Sequence, residues 1–261
     1  MNFEFKKSLG QNFLTDKNIL KKIVDVSNIR DNSLVIEIGP GSGNLTKEIA
    51  KVSNKVLCYE IDKRLEIILK ENLKEFNNID IIFDDFLKRN INNDLENYKY
   101  NNLYVIANLP YYITTPIIEK LINSELDFKQ ITIMIQKEVG DRFAAVPKTK
   151  EYNSLTVYLN YYFDIKKEFI VSRNAFIPKP NVDSIVVTLK RKDKLLYLKD
   201  KELFNIILKD SFKFKRKTIK NNLNNYDLKK IEEILKKYNF NLTSRAEEIP
   251  LEVFVEIVNN L

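Results

Sequence analysis

The stretch VIEIGPGSGNL, residues 35–45, decides the fold class, because it joins an apolar run to a glycine-rich turn and the start of a helix. Three of the five glycines of the chain lie in it, at Gly39, Gly41 and Gly43. Glycine permits positive φ and lets a ligand come close to the backbone. The spacing is G-x-G-x-G, whereas the dinucleotide fingerprint needs glycine where this chain has Asn44. The motif therefore indicates either a nucleotide-binding turn or a purely structural strand-to-helix turn.

Short apolar, β-branched runs alternate with amphipathic stretches on both sides of this turn. The runs are 34–38, 55–60, 79–83, 103–108 and 131–136. The spacing of apolar residues predicts helices over 16–27, with Thr15 or Asp16 as the N-cap, and over 44–52, 63–75 and 115–124. Continuous apolar strands separated by helices indicate a parallel sheet that is covered on both faces.

The pattern changes in the second half of the chain. The runs 155–163 and 182–190 predict two closing strands, antiparallel to their neighbours, with no long helix between them. Three helical segments follow Lys190. We therefore predict an α/β domain over 1–195 and a small helical domain over 196–261.

Composition excludes several classes of chemistry. The chain is 44% hydrophobic and 30% charged, without an apolar run near the ~20 residues of a membrane span and without a secretory signal, so a soluble, cytoplasmic protein is expected. Cys58 is the only cysteine and histidine is absent. An intrachain disulfide, a cysteine or histidine metal site and a Ser-His-Asp triad are thereby ruled out, and no metal is expected.

The excess positive charge is confined to one segment. The net charge is +7, but residues 190–220 alone hold 12 Lys and Arg against 4 Asp and Glu. Such a run is either a solvated helix face or a contact for a polyanion.

Polar side chains end three of the predicted strands. Glu60 ends the second, Asp85 follows the third and Asn108 ends the fourth, just before Pro110, which cannot donate to a sheet. The carboxyl ends of parallel strands meet at one edge, where ligands bind. An acid at 60 can accept from ribose hydroxyls and one at 85 from an adenine amine, although Asp84 or Asp85 could instead cap a helix. Together with the glycine turn, they favour an adenosine-like ligand.

Several motifs then resemble one family closely. They are SLGQNFL (8–14), EIGPGSGNLT (37–46), NLPYYI (108–113), QKEVGDR (136–142), FIPKPNVDSIVV (176–187) and, more loosely, SFKFKRKTIKNNL (211–223). Together they resemble class I S-adenosylmethionine-dependent methyltransferases that modify adenine N6, and within them the KsgA family of small-subunit rRNA adenine dimethyltransferases.

The resemblance implies a fold, a reaction and a partner. The fold would be the Rossmann-like class I methyltransferase fold, with a mostly parallel seven-stranded sheet and a small C-terminal helical domain. The reaction would be dimethylation of the N6 amine of two adjacent adenosines in 16S rRNA of the small ribosomal subunit, during ribosome assembly, with S-adenosylmethionine as cofactor. A monomer is expected, because the sequence shows no heptad pattern or obvious apolar patch.

The resemblance also assigns residues to the cofactor. The implied contacts are Asn12, Leu14, Gly39, Gly41, Gly43, Glu60, Asp85 and Asn108. Because Asp84 is adjacent to Asp85, either aspartate could be the one that contacts the adenine. Tyr112 stands where the family commonly has Asn.

The motif NLPY supplies the implied catalytic groups. The side-chain oxygen of Asn108 and the carbonyl of Leu109 would hold the two N–H groups of the target amine, Pro110 would fix the turn, and Tyr111 would stack on the base. Phe176 is a second candidate, which would pack against the flipped base or the methyl group, or else is a core aromatic. No general base is required, which fits the absence of histidine.

The basic segment then becomes a candidate RNA contact. Its implied residues are Lys213, Lys215, Arg216, Lys217 and Lys220, with Lys148 from the predicted loop 143–153, which also holds Lys150. Because Phe212 and Phe214 are interleaved with these cations, we predict a phosphate-contacting helix with an apolar inner face.

Three alternatives compete with this interpretation. Large-subunit adenine methyltransferases that confer macrolide resistance share the glycine loop and an N-[LI]-P-[YF] motif, but FIPKPNVDSIVV and the basic tail favour the small subunit. DNA adenine methyltransferases usually have Asp where this chain has Asn108. An assembly factor without catalysis would not need Gly39, Glu60, Asp85 and NLPY intact.

Overall fold

The computed structural model describes residues 12–110 and 113–261. Its strands are β1 (Phe13–Leu14), β2 (Ser33–Ile38), β3 (Lys55–Tyr59), β4 (Ile79–Ile82), β5 (Asn102–Asn108), β6 (Phe128–Gln136), β7 (Phe163–Val171), β8 (Phe176–Ile177) and β9 (Ser184–Arg191). Its helices are α1 (Lys17–Val26), α2 (Asn44–Ala50), α3 (Glu66–Leu73), α4 (Ile91–Leu95), α5 (Thr114–Asn123), α6 (Lys137–Phe143), α7 (Ser154–Tyr162), α8 (Lys201–Ser211), α9 (Ile219–Asn222), α10 (Leu228–Lys237) and α11 (Leu251–Asn260).

A seven-stranded sheet organises the fold, in the order β4-β3-β2-β5-β6-β9-β7. The pairs β2–β3, β3–β4, β2–β5 and β5–β6 are parallel, and β9 runs antiparallel to β6. The predicted mostly parallel seven-stranded sheet is confirmed. Strand order reverses beside β2, so the carboxyl ends of β2 and β5 flank the position where α/β sheets bind ligands.

The four helices predicted in the first half, α1, α2, α3 and α5, begin and end close to the predicted positions, whereas α4 was not predicted. Asp16 is the N-cap of α1, and its Oδ1 accepts from the backbone N–H groups of Asn18 at 2.9 Å and Ile19 at 3.2 Å. An aspartate that bonds the first free amides explains why this helix begins where it does.

The predicted strand over 155–163 is wrong. Residues Ser154–Tyr162 form α7, and the sheet receives Phe163–Val171 instead. The Oδ1 atom of Asn153 accepts from Leu155 N at 2.9 Å and Thr156 N at 3.2 Å, in a capping box. This cap outweighs the preference of the Thr, Val and Tyr residues for a strand, a preference that depends on context.

The chain forms two compact units. One comprises Met1–Gly140 and Lys166–Arg191, and the other comprises Asp141–Ile165 and Lys192–Leu261. The sequence places a single boundary near residue 195, whereas the structure also groups 141–165 with the C-terminal helices. Tyr152 explains the difference, because its hydroxyl donates to the carbonyl of Ile249 at 3.1 Å.

Each unit has its own apolar core. In the first, the buried side chains of β2, β3 and β5 pack against α1 and α2, around Val35, Cys58 and Ile106. In the second, α8, α10 and α11 bury one face each, with Phe204, Leu235 and Phe254 inside. None of the helices in the described part of the chain is both long enough and apolar enough to cross a membrane.

Candidate active site at the sheet edge

A cavity of about 230 Å³ opens at the carboxyl ends of β2, β3 and β5. It brings together most of the residues predicted from sequence. The predicted residues that line it are Asn12, Leu14, Gly39, Gly41, Glu60, Asp85, Asn108, Leu109, Pro110 and Phe176. Residues that are far apart in the sequence thus share one wall, as expected for strand ends in an open α/β sheet. Across residues 12–110 and 113–261, no group of three His, Cys, Asp or Glu side chains is placed to hold a metal ion.

The glycine turn exposes its backbone to the cavity. Gly39 has φ +74° and Gly41 has φ +60°, a region that other residues rarely adopt. A Cβ atom at Gly39 would meet no other atom within 4 Å, so open space faces its backbone. At Gly41 a Cβ would come within 2.9 Å of the Phe13 ring, which therefore lies directly on the turn.

Gly43 lies at the start of α2 and not in the cavity lining, unlike the other two glycines of the motif. It is the N-cap of α2 with φ +82°, and a Cβ there would lie 3.2 Å from Leu69 and 3.1 Å from Leu73. In the described part of the chain, Gly43 is not one of the residues that line the cavity. Its position favours a structural role, in which the helix begins tightly against α3.

Glu60 is buried at the end of β3 and accepts two backbone hydrogen bonds. Its Oε1 accepts from Asp62 N at 2.9 Å and its Oε2 accepts from Gly41 N at 3.1 Å. Burial raises its carboxyl pKa above the ordinary value, against the effect of these bonds. A carboxylate has about four acceptor positions. The carboxylate therefore retains capacity to accept a hydroxyl group from the cavity.

Asp84 and Asp85 both line the cavity, but they are differently engaged. Asp85 caps the short 3₁₀ turn 86–88, and its Oδ1 accepts from Leu87 N at 3.0 Å. Asp84 is exposed, accepts from Asp85 N at 2.8 Å and lies 3.5 Å from the guanidinium of Arg89. The capping alternative for Asp85 is confirmed. Of the four carboxylate oxygens of Asp84 and Asp85, Oδ2 of Asp85 is the one suited to accept a hydrogen bond from an adenine amine.

Asn108 is oriented by the segment before β1. Its Nδ2 donates to the backbone carbonyl of Asn12 at 3.2 Å, so its Oδ1 is the atom that can accept from a substrate. Leu109 N donates to Met134 O at 3.1 Å, which anchors the next peptide to β6. The predicted stacking residue Tyr111 lies outside the described residues.

Phe176 belongs to the apolar core and also lines the cavity. The ring is buried in the core cluster that includes Leu14 and Met134, and it also lines the cavity. β8, which carries it, pairs antiparallel with β1 in a separate two-stranded sheet, with Leu14 opposite Phe176.

Glu37 is a site residue that the sequence interpretation missed. It lies within β2, is 1% exposed and lines the cavity. Burial raises its carboxyl pKa to about 7. The thiol of Cys58 lies 3.7 Å from its Oε2 and donates to it. An acid inside an otherwise apolar strand is the signal that could have revealed it, since Glu is rarely fully buried.

Replacing Glu37 by Gln is expected to change how stability depends on pH. The folded carboxyl has a pKa of about 7 against an ordinary value of 4.5, so it holds a proton that the unfolded chain has already released. The stabilisation from this proton is fully present below the pKa that Glu37 has in the unfolded chain. It is lost as the pH rises through the pKa of Glu37 in the folded protein. At 1.36 kcal/mol per pKa unit, the loss is on the order of 3 kcal/mol.

Urea unfolding of both proteins without ligand, at about pH 5 and pH 8, measures the effect. The difference in unfolding free energy, variant minus parent, should become more positive at the higher pH, since the subtraction removes the contribution of groups that do not interact with Glu37. Parallel pH dependence in the two proteins would show that Glu37 is already ionised at the lower pH.

The second unit carries a basic turn, residues 213–217, between α8 and α9. The prediction that these residues form a helix is wrong, because α8 ends at Ser211 and α9 begins at Ile219. Asn222 holds the turn, since its Nδ2 donates to Ser211 O at 2.6 Å. The predicted cations Lys213, Lys215, Arg216, Lys217 and Lys220 are all exposed.

The basic turn meets the predicted loop 143–153 within this unit. Lys215 Nζ donates to Lys150 O at 2.9 Å. Lys148 is exposed, and its backbone N–H donates to Glu247 O at 2.7 Å. Lysines that are far apart in the sequence therefore belong to one surface.

Comparison with known proteins gives consistent results at three levels. The family described as ribosomal RNA adenine dimethylase matches residues 2–261. Proteins named ribosomal RNA small subunit methyltransferase A are 42% identical in Streptococcus pyogenes serotype M3 and 44% identical in Bacillus pumilus, over 99% of this chain and 92% of theirs. A dimethyladenosine transferase from Plasmodium falciparum superposes with TM-score 0.80 at 27% identity, covering 94% of this chain and 95% of that one. The 23S rRNA methyltransferase ErmE superposes with TM-score 0.75 at 25% identity, covering 96% and 99%.

Proposed function

The chain belongs to the ribosomal RNA adenine dimethylase family, and on that premise we propose that it dimethylates the N6 amine of two adjacent adenosines in 16S rRNA of the small ribosomal subunit, during ribosome assembly. The observation that carries the proposal is one cavity in which the glycine turn and Glu60 lie beside Asn108 and Leu109. The bacterial relatives, which are named for the small subunit, are more similar in sequence than ErmE, which favours this substrate over 23S rRNA.

We propose S-adenosylmethionine as the methyl donor, because the cavity residues fit its parts. The open space over Gly39 suits the amino-acid end, the Glu60 carboxylate suits the ribose hydroxyls, and Asp85 suits the adenine amine. Asn12 and Leu14 would complete the enclosure from the segment at β1. When bound, the donor supplies a methyl group that is already activated by its sulfonium.

The residues of NLPY would prepare the acceptor. The lone pair of an adenine amine is delocalised into the ring, so the nitrogen is a poor nucleophile. Two acceptors that hold its N–H groups, Asn108 Oδ1 and Leu109 O, would favour a pyramidal nitrogen with its lone pair directed at the methyl group. Such positioning is worth about 7–11 kcal/mol of a barrier. The proton would leave to water after transfer, so no side chain is needed as a base.

The target base must leave its stack to enter the cavity. Pro110 would fix the turn, Tyr111 would stack on the extruded base and Phe176 would support it from the cavity wall. The first unit would thus hold the chemistry of the predicted domain 1–195. The second unit, which extends the predicted domain 196–261 by residues 141–165 and 192–195, would hold RNA through its lysines.

We further propose a cytoplasmic monomer that acts without a metal. Small subunits assemble in the bacterial cytoplasm, and every group that the proposed chemistry requires comes from a single chain. The deciding experiment supplies methyl-labelled S-adenosylmethionine with unmodified small subunits, naked large-subunit rRNA or duplex DNA, followed by digestion to nucleosides. Dimethyladenosine from small subunits alone is expected. Label in large-subunit RNA would transfer the function to that subunit, and binding without label would indicate an assembly factor.

Removing charge from the basic turn is expected to flatten the salt dependence of RNA binding. Each phosphate contact contributes about 0.7–0.9 to the slope of log K against log salt. Replacement of Lys215, Arg216 and Lys217 by Ala should therefore lower the slope by about 2–3. Filter binding to small subunits at several salt concentrations measures it.

The matched control replaces Lys229, Lys230 and Lys236 by Ala, which lowers the net charge equally on the exposed face of α10. This control should keep nearly the parent slope. Equal flattening in both variants would mean that only the net charge matters, and an unchanged slope in the first would remove the basic turn from the interface.

A further inference from the structure

One aromatic ring in the basic turn faces solvent. Phe214 is 55% exposed, although its position among apolar and basic residues predicts an inner face. Its neighbour Phe212 takes the inward direction instead, with ring centroids 5.8 Å from Phe254 and 6.0 Å from Tyr152. Phe212 therefore anchors this segment to the apolar core, and the Phe214 ring is not needed for that contact.

The backbone of Phe214 is held on both sides. Its N–H donates to Asn222 Oδ1 at 3.3 Å. Its carbonyl accepts from Lys217 N at 2.8 Å and from Asn222 Nδ2 at 3.3 Å. The ring thus stands on an anchored turn, which reduces the conformational entropy that a ligand would have to remove on binding.

One cation lies over this ring, and three more follow it in the sequence. Lys213 Nζ lies 5.6 Å from the ring centroid, and the exposed side chains of Lys215, Arg216 and Lys217 follow directly. An exposed aromatic face among Lys and Arg is the arrangement that proteins use for single-stranded nucleic acid, where bases stack on rings and cations track the phosphates. A nucleobase would stack on the Phe214 ring, and the phosphates on either side of that nucleotide would lie near the cations of the basic turn.

We propose that Phe214 is a stacking platform for an unpaired nucleobase of the RNA substrate, with the cations of the basic turn holding the adjoining phosphates. The choice of RNA as ligand rests on the proposed function. The ring can stack only on a base whose face is accessible. Bases within a continuous duplex are covered by their neighbours, so the site selects single-stranded or bulged RNA.

The absence of tryptophan from the sequence permits a direct test. In full-length protein, Phe214→Trp introduces one indole into the basic turn. A short single-stranded RNA of mixed sequence should quench its fluorescence to saturation, whereas a duplex of the same length should not. Fluorescence that stays constant at saturating single-stranded RNA would overturn the proposal.

A charge-neutral variant gives the second readout. Phe214→Ala should weaken binding of the same RNA by about tenfold or more, with an unchanged salt slope, because base–aromatic stacking contributes without releasing counterions. Phe214→Tyr should retain nearly the parent affinity. The control Tyr197→Ala removes a 79% exposed ring from a stretch in which Asp193 and Asp200 balance Lys194 and Lys199, and it should leave affinity unchanged. Parent affinity in Phe214→Ala, or an equal loss in Tyr197→Ala, would overturn the assignment.

A methyl-transfer assay on small subunits, run with the same preparations, separates this inference from the proposed function. Methylation by the parent protein together with full RNA affinity in Phe214→Ala would overturn the stacking site alone. Quenching and weakened binding without any methylation would support the stacking site and overturn the proposed function.

Discussion

Asn108→Ala is expected to lower kcat for methyl transfer to small subunits by about a hundredfold to a thousandfold, the effect of removing one fixed polar group from a reacting centre. The variant loses the oxygen that would hold one N–H group of the target amine. It also loses the bond from Nδ2 to Asn12 O, which fixes that oxygen in place. Affinity for S-adenosylmethionine should change much less, since a neutral hydrogen bond is worth about 1 kcal/mol net.

Asn102 offers a matched control in the same strand. It begins β5, as Asn108 ends it, and its Nδ2 also donates to a backbone carbonyl, that of Asp31 at 3.0 Å. Asn102→Ala should retain the parent kcat, because that end of the strand lies away from the cavity lining. Steady-state rates at saturating cofactor and small subunits make the comparison. A kcat in Asn108→Ala close to that of Asn102→Ala would remove Asn108 from the chemistry.

Glu60→Ala is expected to weaken binding of S-adenosylmethionine by about a hundredfold to ten-thousandfold. Two hydroxyl bonds to a charged acceptor would be lost, at about 1.5–3 kcal/mol each. The backbone N–H groups of Gly41 and Asp62 would also lose their acceptor, which loosens the turn. Isothermal titration of the cofactor into each protein gives the two dissociation constants directly.

Two further variants interpret that loss. Glu60→Gln should be intermediate, because its amide nitrogen would face one of two backbone donors where the carboxylate accepts from both. Glu66→Ala removes an acid from α3 that only pairs with Lys70 on the surface, and it should leave the cofactor affinity unchanged. Unaltered affinity in Glu60→Ala, with urea unfolding showing an intact fold, would exclude the ribose role of this carboxylate.

The sequence alone located the candidate site because most of its polar residues directly follow a predicted strand. Glu60, Asp85 and Asn108 each follow an apolar run, and a parallel sheet brings such ends to one edge whatever the loops between them. The three glycines have the positive φ that their motif predicts. Glu37 was missed because it lies inside the apolar run of β2, whereas the search for site residues considered the polar side chains at strand ends.

The errors have a common physical origin in side chains that bond to distant backbone or to helix ends. Asn153 converts a β-branched run into α7 by capping it. Asn222 converts an expected helix into the basic turn by bonding Ser211 and Phe214. Tyr152 assigns its segment to the C-terminal unit through a carbonyl far along the chain, at Ile249. Periodicity within a short window contains none of these bonds.

The strand order has a consequence for synthesis on the ribosome. In the sheet, β9 lies between β6 and β7, although it is made after both. A nascent chain that has emerged only as far as β7 must therefore carry β6 with an open hydrogen-bonding edge, and it lacks the strand that gives β7 its place. Open strand edges are where newly made chains pair wrongly and aggregate. We expect the emerging protein to be most vulnerable in the interval before Ser184–Arg191 leaves the exit tunnel, and slowed translation there to lower the yield of folded enzyme.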